Sequence, residues 1–128
     1  WRDKAAAAPR CSYQKIHYCE KALEIRPDLV EVYCFLGETY YDLALAYGHR
    51  DLYDKSLNAF KDALRIDHNL VFAHYRMGTI YFLRGEFERC RRELEEARRL
   101  DPDFRPAENS LRMLEERIRD IPETAPEE

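Results

Sequence analysis

Tyr33-Cys34-Phe35-Leu36-Gly37-Glu38-Thr39-Tyr40 returns further along the chain as His74-Tyr75-Arg76-Met77-Gly78-Thr79-Ile80-Tyr81, a bulky residue, an apolar-Gly pair and a tyrosine at the same intervals. Glycine inside a helix costs about 1 kcal/mol relative to alanine. The recurrence of that cost at the same place predicts a second helix approaching closely at each glycine. The small residues expected opposite are Ser56 and Cys90. Tyr40 and Tyr81, one turn on and on the same face, are placed to fill the gap that opens between crossing helices. Working outward, each stretch is followed by an apolar-periodic helix (Ser56, Phe60, Ala63, then Cys90, Leu94, Ala97). The same closing phrase ends three segments: Ala22 to Asp28 (ALEIRPD), Ala63 to Asn69 (ALRIDHN) and Ala97 to Asp103 (ARRLDPD). Asp28, Asn69 and Asp103 are expected to cap the helices that follow.

The 128 residues are 45% hydrophobic and 36% charged, enough apolar material for one packed domain and too much for a disordered chain. Only four glycines punctuate them, too few for a β protein of this length, so the class is all-α. A net charge of −4 lacks the basic excess of a nucleic-acid binder, and no apolar run is long enough to span a membrane. Cys11, Cys19, Cys34 and Cys90 show no C-x-x-C spacing, so they read as small hydrophobes or inert thiols. The chain opens on Trp1 without an initiator Met, which leaves an upstream repeat and the compartment open.

The repeated phrases resemble the tetratricopeptide repeat, a 34-residue helix-turn-helix unit with aromatic, Leu-Gly, Tyr, Ala, Phe and Pro signposts. The resemblance spans roughly residues 12 to 119. It implies a single domain built as a helix-turn-helix superhelical array: an N-terminal segment 1–11, a half repeat 12–29, a repeat 30–70 with seven extra residues, a repeat 71–104, a capping helix 105–119 and an acidic, Pro-rich tail 120–128. The extra residues fall in Leu43 to Asp54 and are expected to lengthen both helices. Gly48 would stop the first, and Asp51 or Asp54 would start the second. In the capping helix Ala107, Leu111, Leu114 and Ile118 form one apolar stripe, the polar remainder facing water. At the front, no partner helix precedes Ser12, so Tyr13, Ile16 and Tyr18 are candidates for exposure. They would be covered by the N-terminal segment, by another protein or by a removed repeat.

Chemistry is sparse. His17, His49, His68 and His74 share no helical metal-ligand spacing, and no metal or other cofactor is expected. Cys34 or Cys11 with His17 or His74 lacks a nucleophile elbow or a glycine-rich oxyanion loop, so no catalysis is expected. The run from Arg89 to Arg99 interleaves arginine with glutamate, the pattern of a solvated helix face. In the family it resembles, the first helix of each repeat lines a concave groove. Those positions are here Glu31, Cys34, Glu38, Tyr41 and Asp42, then Phe72, Tyr75, Thr79, Phe82 and Leu83, with Asn109, Met113, Glu116 and Arg117 from the closing helix. Phe72, Tyr75 and Phe82 with Tyr41 would make an aromatic floor, and Glu31, Glu38 and Asp42 an acidic rim. The Lys, Asn and Arg set with which part of the family clamps chaperone C-termini is missing. The resemblance therefore implies a protein-binding scaffold that holds a peptide or helix with apolar anchors and a few basic residues. The other reading is a structural subunit or assembly factor embedded in a larger complex, with self-association through the uncovered front helix as a third route.

Overall fold

In a computed structural model of the chain, the described residues are 2–121, with side chains described from residue 12 onward. They form six helices: α1 (Arg2–Ile25), α2 (Val30–Tyr47), α3 (Arg50–Ile66), α4 (Val71–Leu83), α5 (Phe87–Leu100) and α6 (Arg105–Arg119). No strand occurs among the described residues, and no helix there is long and apolar enough to cross a membrane. The chain divides between Asn69 and Leu70 into two compact units, α1–α3 and α4–α6. The tail from residue 122 on, and the side chain of Cys11, lie outside the described residues.

In the first unit α2 packs on both α1 and α3. Its core joins Ile16 and Cys19 of α1, Leu36 and Leu43 of α2 and Ala59 of α3, flanked by Leu23, Val32, Tyr40 and Leu52. Ile16 is therefore buried, contrary to the expectation of exposure, because α2 covers that stripe of α1. Tyr13 and Tyr18 stay 57% and 69% exposed, on faces of α1 that α2 does not reach. Helix α1 begins well before Ser12, at Arg2. The high helix propensity of Ala5 to Ala8 outweighs the missing N–H of Pro9.

The seven extra residues sit almost wholly in helix. Helices α2 and α3 have 18 and 17 residues, against 13 and 14 for α4 and α5. Gly48 ends α2 with φ of 68°, the left-handed region that glycine adopts without a Cβ penalty. Helix α3 starts at Arg50 after His49, and neither Asp51 nor Asp54 caps it. Asp51 lies in the first turn, where a carboxylate favours the helix dipole.

The expected caps are corrected as well. Leu29, Leu70 and Phe104 hold the N-cap positions in extended conformation, without a side-chain cap bond. In two of the three closing phrases the aspartate stabilises the preceding turn instead. Asp67 Oδ1 accepts the Asn69 N–H at 3.0 Å, and Asp101 Oδ1 accepts that of Asp103 at 3.1 Å. These are turn-forming bonds of the kind short acidic side chains make readily.

The glycines fulfil the close-approach expectation, with larger neighbours than expected. A Cβ on Gly37 would lie 2.8 Å from the ring of the fully buried Phe60, and one on Gly78 would lie 2.9 Å from Leu94 and 3.4 Å from the Cys90 carbonyl. Ser56 instead serves the backbone, donating its hydroxyl to the Gly37 carbonyl at 2.7 Å. In the second unit α6 packs on α5 and touches α4, with Ala107, Leu111 and Leu114 buried beneath it. Outside the core, Arg89 pairs with Glu86, Arg91 with Glu88 and Arg99 with Glu96, the solvated face the sequence implies.

The packing at the two glycines can be measured directly. Gly37→Ala should gain about 1 kcal/mol of helix propensity and lose more to overpacking against Phe60, for a net destabilisation of about 1–2 kcal/mol in urea unfolding. An unchanged or raised midpoint would mean that the ring can withdraw. Opposite Gly78, burial pushes the Cys90 thiol from 9.0 up to about 11. Its alkylation in the folded chain should keep rising with pH to about 11, while the unfolded chain levels off near 9. The stability contributed by this neutral buried thiol is intact below 9 and lost as pH climbs toward 11. Mass spectrometry after iodoacetamide treatment at pH 8 should find half-buried Cys34 modified before Cys90. Equal rates would refute the assignment.

Candidate functional site

The second unit holds an apolar pocket of about 410 Å³, built by all three of its helices. Helix α4 supplies Tyr75, Gly78, Thr79, Phe82 and Leu83, α5 supplies Cys90 and Leu94, and α6 supplies Ser110 and Met113. The spacing of the α4 residues explains the wall: positions 75, 79, 82 and 83 lie on one side of a helix whose opposite side buries Ala73, Met77, Ile80 and Tyr81. Gly78 sits at the boundary, and its missing side chain brings Leu94 up as the floor.

The pocket walls are fixed from behind. The Tyr75 ring meets Phe104 edge-on at 5.4 Å, and Phe82 packs on Phe87 at 5.7 Å. The Thr79 hydroxyl is spent on the Tyr75 carbonyl at 3.1 Å, so Thr79 presents its methyl. Leu83 and Met113 form the lip, 51% and 59% exposed. Beyond the lip, Phe72 is exposed beside Tyr75, with the Arg76 guanidinium over both rings at 5.1 and 5.5 Å. At the far side of α4, His74 Nδ1 and Glu93 Oε1 are 2.8 Å apart, a polar link that ties α4 to α5 away from the pocket.

Of the expected groove residues, Tyr75, Thr79, Phe82, Leu83 and Met113 come together here. Asn109 does not. It lines a separate polar hollow of about 540 Å³ beside α6, with Pro102, Asp103, Arg105, Glu108 and Arg112. Ser110 takes the pocket position expected for Asn109. The signal for Ser110 is its spacing of three before Met113, which on a helix shares a face. Cys90 and Leu94, core residues by their periodicity, are also pocket lining.

The remaining candidates lie on α2, in the first unit. Glu31 and Asp42 are exposed, Cys34 and Glu38 partly so, and Phe35 and Leu45 add exposed apolar surface to the same face. Tyr41 is 8% exposed, its ring edge-on to Tyr53 of α3 at 6.4 Å, so it offers little surface as an aromatic floor. Burial, then the carboxylates of Glu31, Glu38 and Asp67, push the Cys34 thiol above its ordinary value, which suppresses the thiolate a nucleophile needs. No group of three or more His, Cys, Asp or Glu side chains that could hold a metal ion occurs among the described residues.

The family model described as Tetratricopeptide repeat matches residues 71–104, and a second model of the same description matches residues 37–69. None of the curated proteins matches the chain. Among solved structures, the chain is similar to the Arabidopsis OM64 TPR domain (TM-score 0.74, 17% identity, covering 89% of this chain and 88% of that one). It is also similar to the first TPR of Spaghetti (RPAP3) bound to the HSP90 peptide SRMEEVD (TM-score 0.73, 16% identity, 91% and 88%). A third similar structure is that of MamA (TM-score 0.71, 23% identity), of which the chain covers 56% while 80% of its own length is matched. A fourth, YrrB, described as a TPR protein with an unusual peptide-binding site (TM-score 0.68, 19% identity), is covered to 48% by 79% of this chain. The chain thus spans about half the length of two of these relatives. With two family-model matches in tandem over residues 37–104, and a helix-turn-helix closed on a glycine in each, the chain belongs to the tetratricopeptide repeat family.

Proposed function

We propose that this chain is a non-catalytic protein-interaction module, and that a partner peptide or helix anchors an apolar side chain in the α4–α6 pocket. The observation that carries the reading is the pocket itself: an apolar cavity whose aromatic walls are packed from behind and whose floor is the buried Cys90 and Leu94. Buried aromatic anchors dominate the energetics of such contacts. Two of the similar structures are described by a bound peptide or a peptide-binding site, which supports the class of partner. Glu31, Cys34, Glu38 and Asp42 on α2 are a second surface of this reading, suited to basic residues of a partner.

A second reading draws on α1. Tyr13, Tyr18 and Ile25 of α1 are large and exposed, as in a subunit that a neighbour covers.

The test uses the lip rather than the walls, since Tyr75 and Phe82 also hold Phe104 and Phe87. The pair Leu83→Glu and Met113→Glu should leave helicity by circular dichroism intact and weaken peptides selected from a random display library at least tenfold, about 1.4 kcal/mol. Unchanged affinity would remove the pocket from the mechanism. Sedimentation of the chain alone addresses the second reading. A recruiting module should run as a monomer, and association abolished by Tyr13→Ser plus Tyr18→Ser would favour the embedded subunit.

A further inference from the structure

We propose that a small polar hollow of the second unit, apart from the apolar pocket, takes a phosphate group, and that Glu93 makes it prefer an oxyanion that still carries a proton. The site is independent of the pocket and of whatever docks there.

The hollow measures about 150 Å³ and is lined by Tyr81 of α4 and by Arg89, Arg92 and Glu93 of α5. A water's share of liquid volume is about 30 Å³, so the space is enough for a tetrahedral anion and some of its water. Residues 89, 92 and 93 stand three and four apart and share one face of α5. Tyr81 is the residue that asks for a ligand. It is only 5% exposed, it lines the hollow, and its hydroxyl makes no hydrogen bond among the described residues. A tyrosine buried with its ring usually finds a partner for that hydroxyl, and the hollow is where this one can meet it. Burial, then the Glu93 carboxylate, push the Tyr81 hydroxyl above its ordinary value, against the pull of Arg89 and Arg84 and with a further push from Glu86. It therefore keeps its proton and can donate it to an anion.

The charges around the hydroxyl are already sorted. Glu86 accepts from Arg89 Nη1 at 3.0 Å and faces Arg84 Nε at 2.9 Å, so two guanidiniums share that carboxylate. The Arg89 guanidinium lies over the Tyr81 ring at 5.9 Å, with its other nitrogens left for a further acceptor. Arg92 is exposed and has no ion-pair partner among the described residues. Guanidinium forks match the spacing of phosphate oxygens, and such charge-assisted bonds are the strong ones. Glu93 sets the selectivity. Its Oε1 is 2.8 Å from His74 Nδ1, and its Oε2 makes no hydrogen bond among the described residues. A carboxylate in the wall repels an anion that offers only acceptors, as sulfate does, and accepts from the hydroxyl of a singly protonated phosphate. Three guanidiniums against two carboxylates leave a positive balance for the ligand to meet.

The experiment is a titration of the isotope-labelled chain followed by NMR at the arginine Nε–H groups and the backbone amides of residues 81 and 89–93. It is run at constant ionic strength and about pH 6, where a phosphate monoester is about half singly protonated. The probes are inorganic phosphate, sulfate, and a five-residue peptide carrying phosphoserine or serine between glycines. The intact chain should bind phosphate at least about threefold more tightly than sulfate, the scale of one exposed charged contact. Glu93→Gln should bring the two to about equal affinity by strengthening sulfate. Arg92→Gln and Tyr81→Phe should each weaken phosphate by about threefold or more, with circular dichroism unchanged. Leu83→Glu with Met113→Glu should leave phosphate binding as it is. A response to phosphoserine and not to serine would support the site and assign the group to a phosphorylated partner. A response to inorganic phosphate alone would support it as a site for the free ion. Equal affinity for phosphate and sulfate in the intact chain would overturn the preference assigned to Glu93. Signals that do not move, or that move equally in Arg92→Gln and Tyr81→Phe, would mean an adventitious ion only and overturn the site.

Discussion

A helix that gives up one side chain lets a neighbour come closer than two ordinary helices can, and each unit is organised around one such place. Gly37 receives the ring of Phe60, and Gly78 receives Leu94 and the backbone at Cys90. The distances leave no room for a methyl group. The facing of α2 on α3 and of α4 on α5, the seating of Ser56 on the Gly37 carbonyl, and the depth at which Leu94 floors the pocket all depend on this contact. Local propensity argues against glycine at both positions, so tertiary packing decides them.

Much of the fold is legible in the residues. The three closing phrases mark the turns, and the apolar stripe of α6 is legible in its spacing, with Ala107, Leu111 and Leu114 buried. The extra residues of the first hairpin belong to helix, as expected, because Leu43, Leu52 and Tyr53 have to pack somewhere. The caps are illegible for a physical reason. The backbone N–H groups of the expected caps Asn69 and Asp103 are held in the turn by Asp67 and Asp101 two residues before them, and apolar Leu70 and Phe104 then take the N-cap positions. The start of α1 is equally hard to read, because an interrupting proline and four alanines pull in opposite directions and the alanines prevail.

The site is half legible. Helical spacing assembles Tyr75, Thr79, Phe82 and Met113 on the right surface. It does not tell Asn109 from Ser110, since one residue is 100° of rotation and both flank the expected position. Nor does it tell Tyr41, whose ring turns toward Tyr53, from an exposed aromatic. Charge is the subtler loss: the acidic residues that spacing gathers into one rim belong to α2, whereas the lining of the α4–α6 pocket carries no carboxylate at all.

The unequal hairpins have one further consequence. Tandem repeats with similar sequences risk pairing a helix of one with the complementary helix of the other during folding. Here α2 and α3 are matched in length to each other, and α4 and α5 likewise, but a crossed pair of α2 with α5 would leave about a turn of apolar helix without a partner. The length difference thus acts as a molecular ruler that discriminates against assembly in the wrong order.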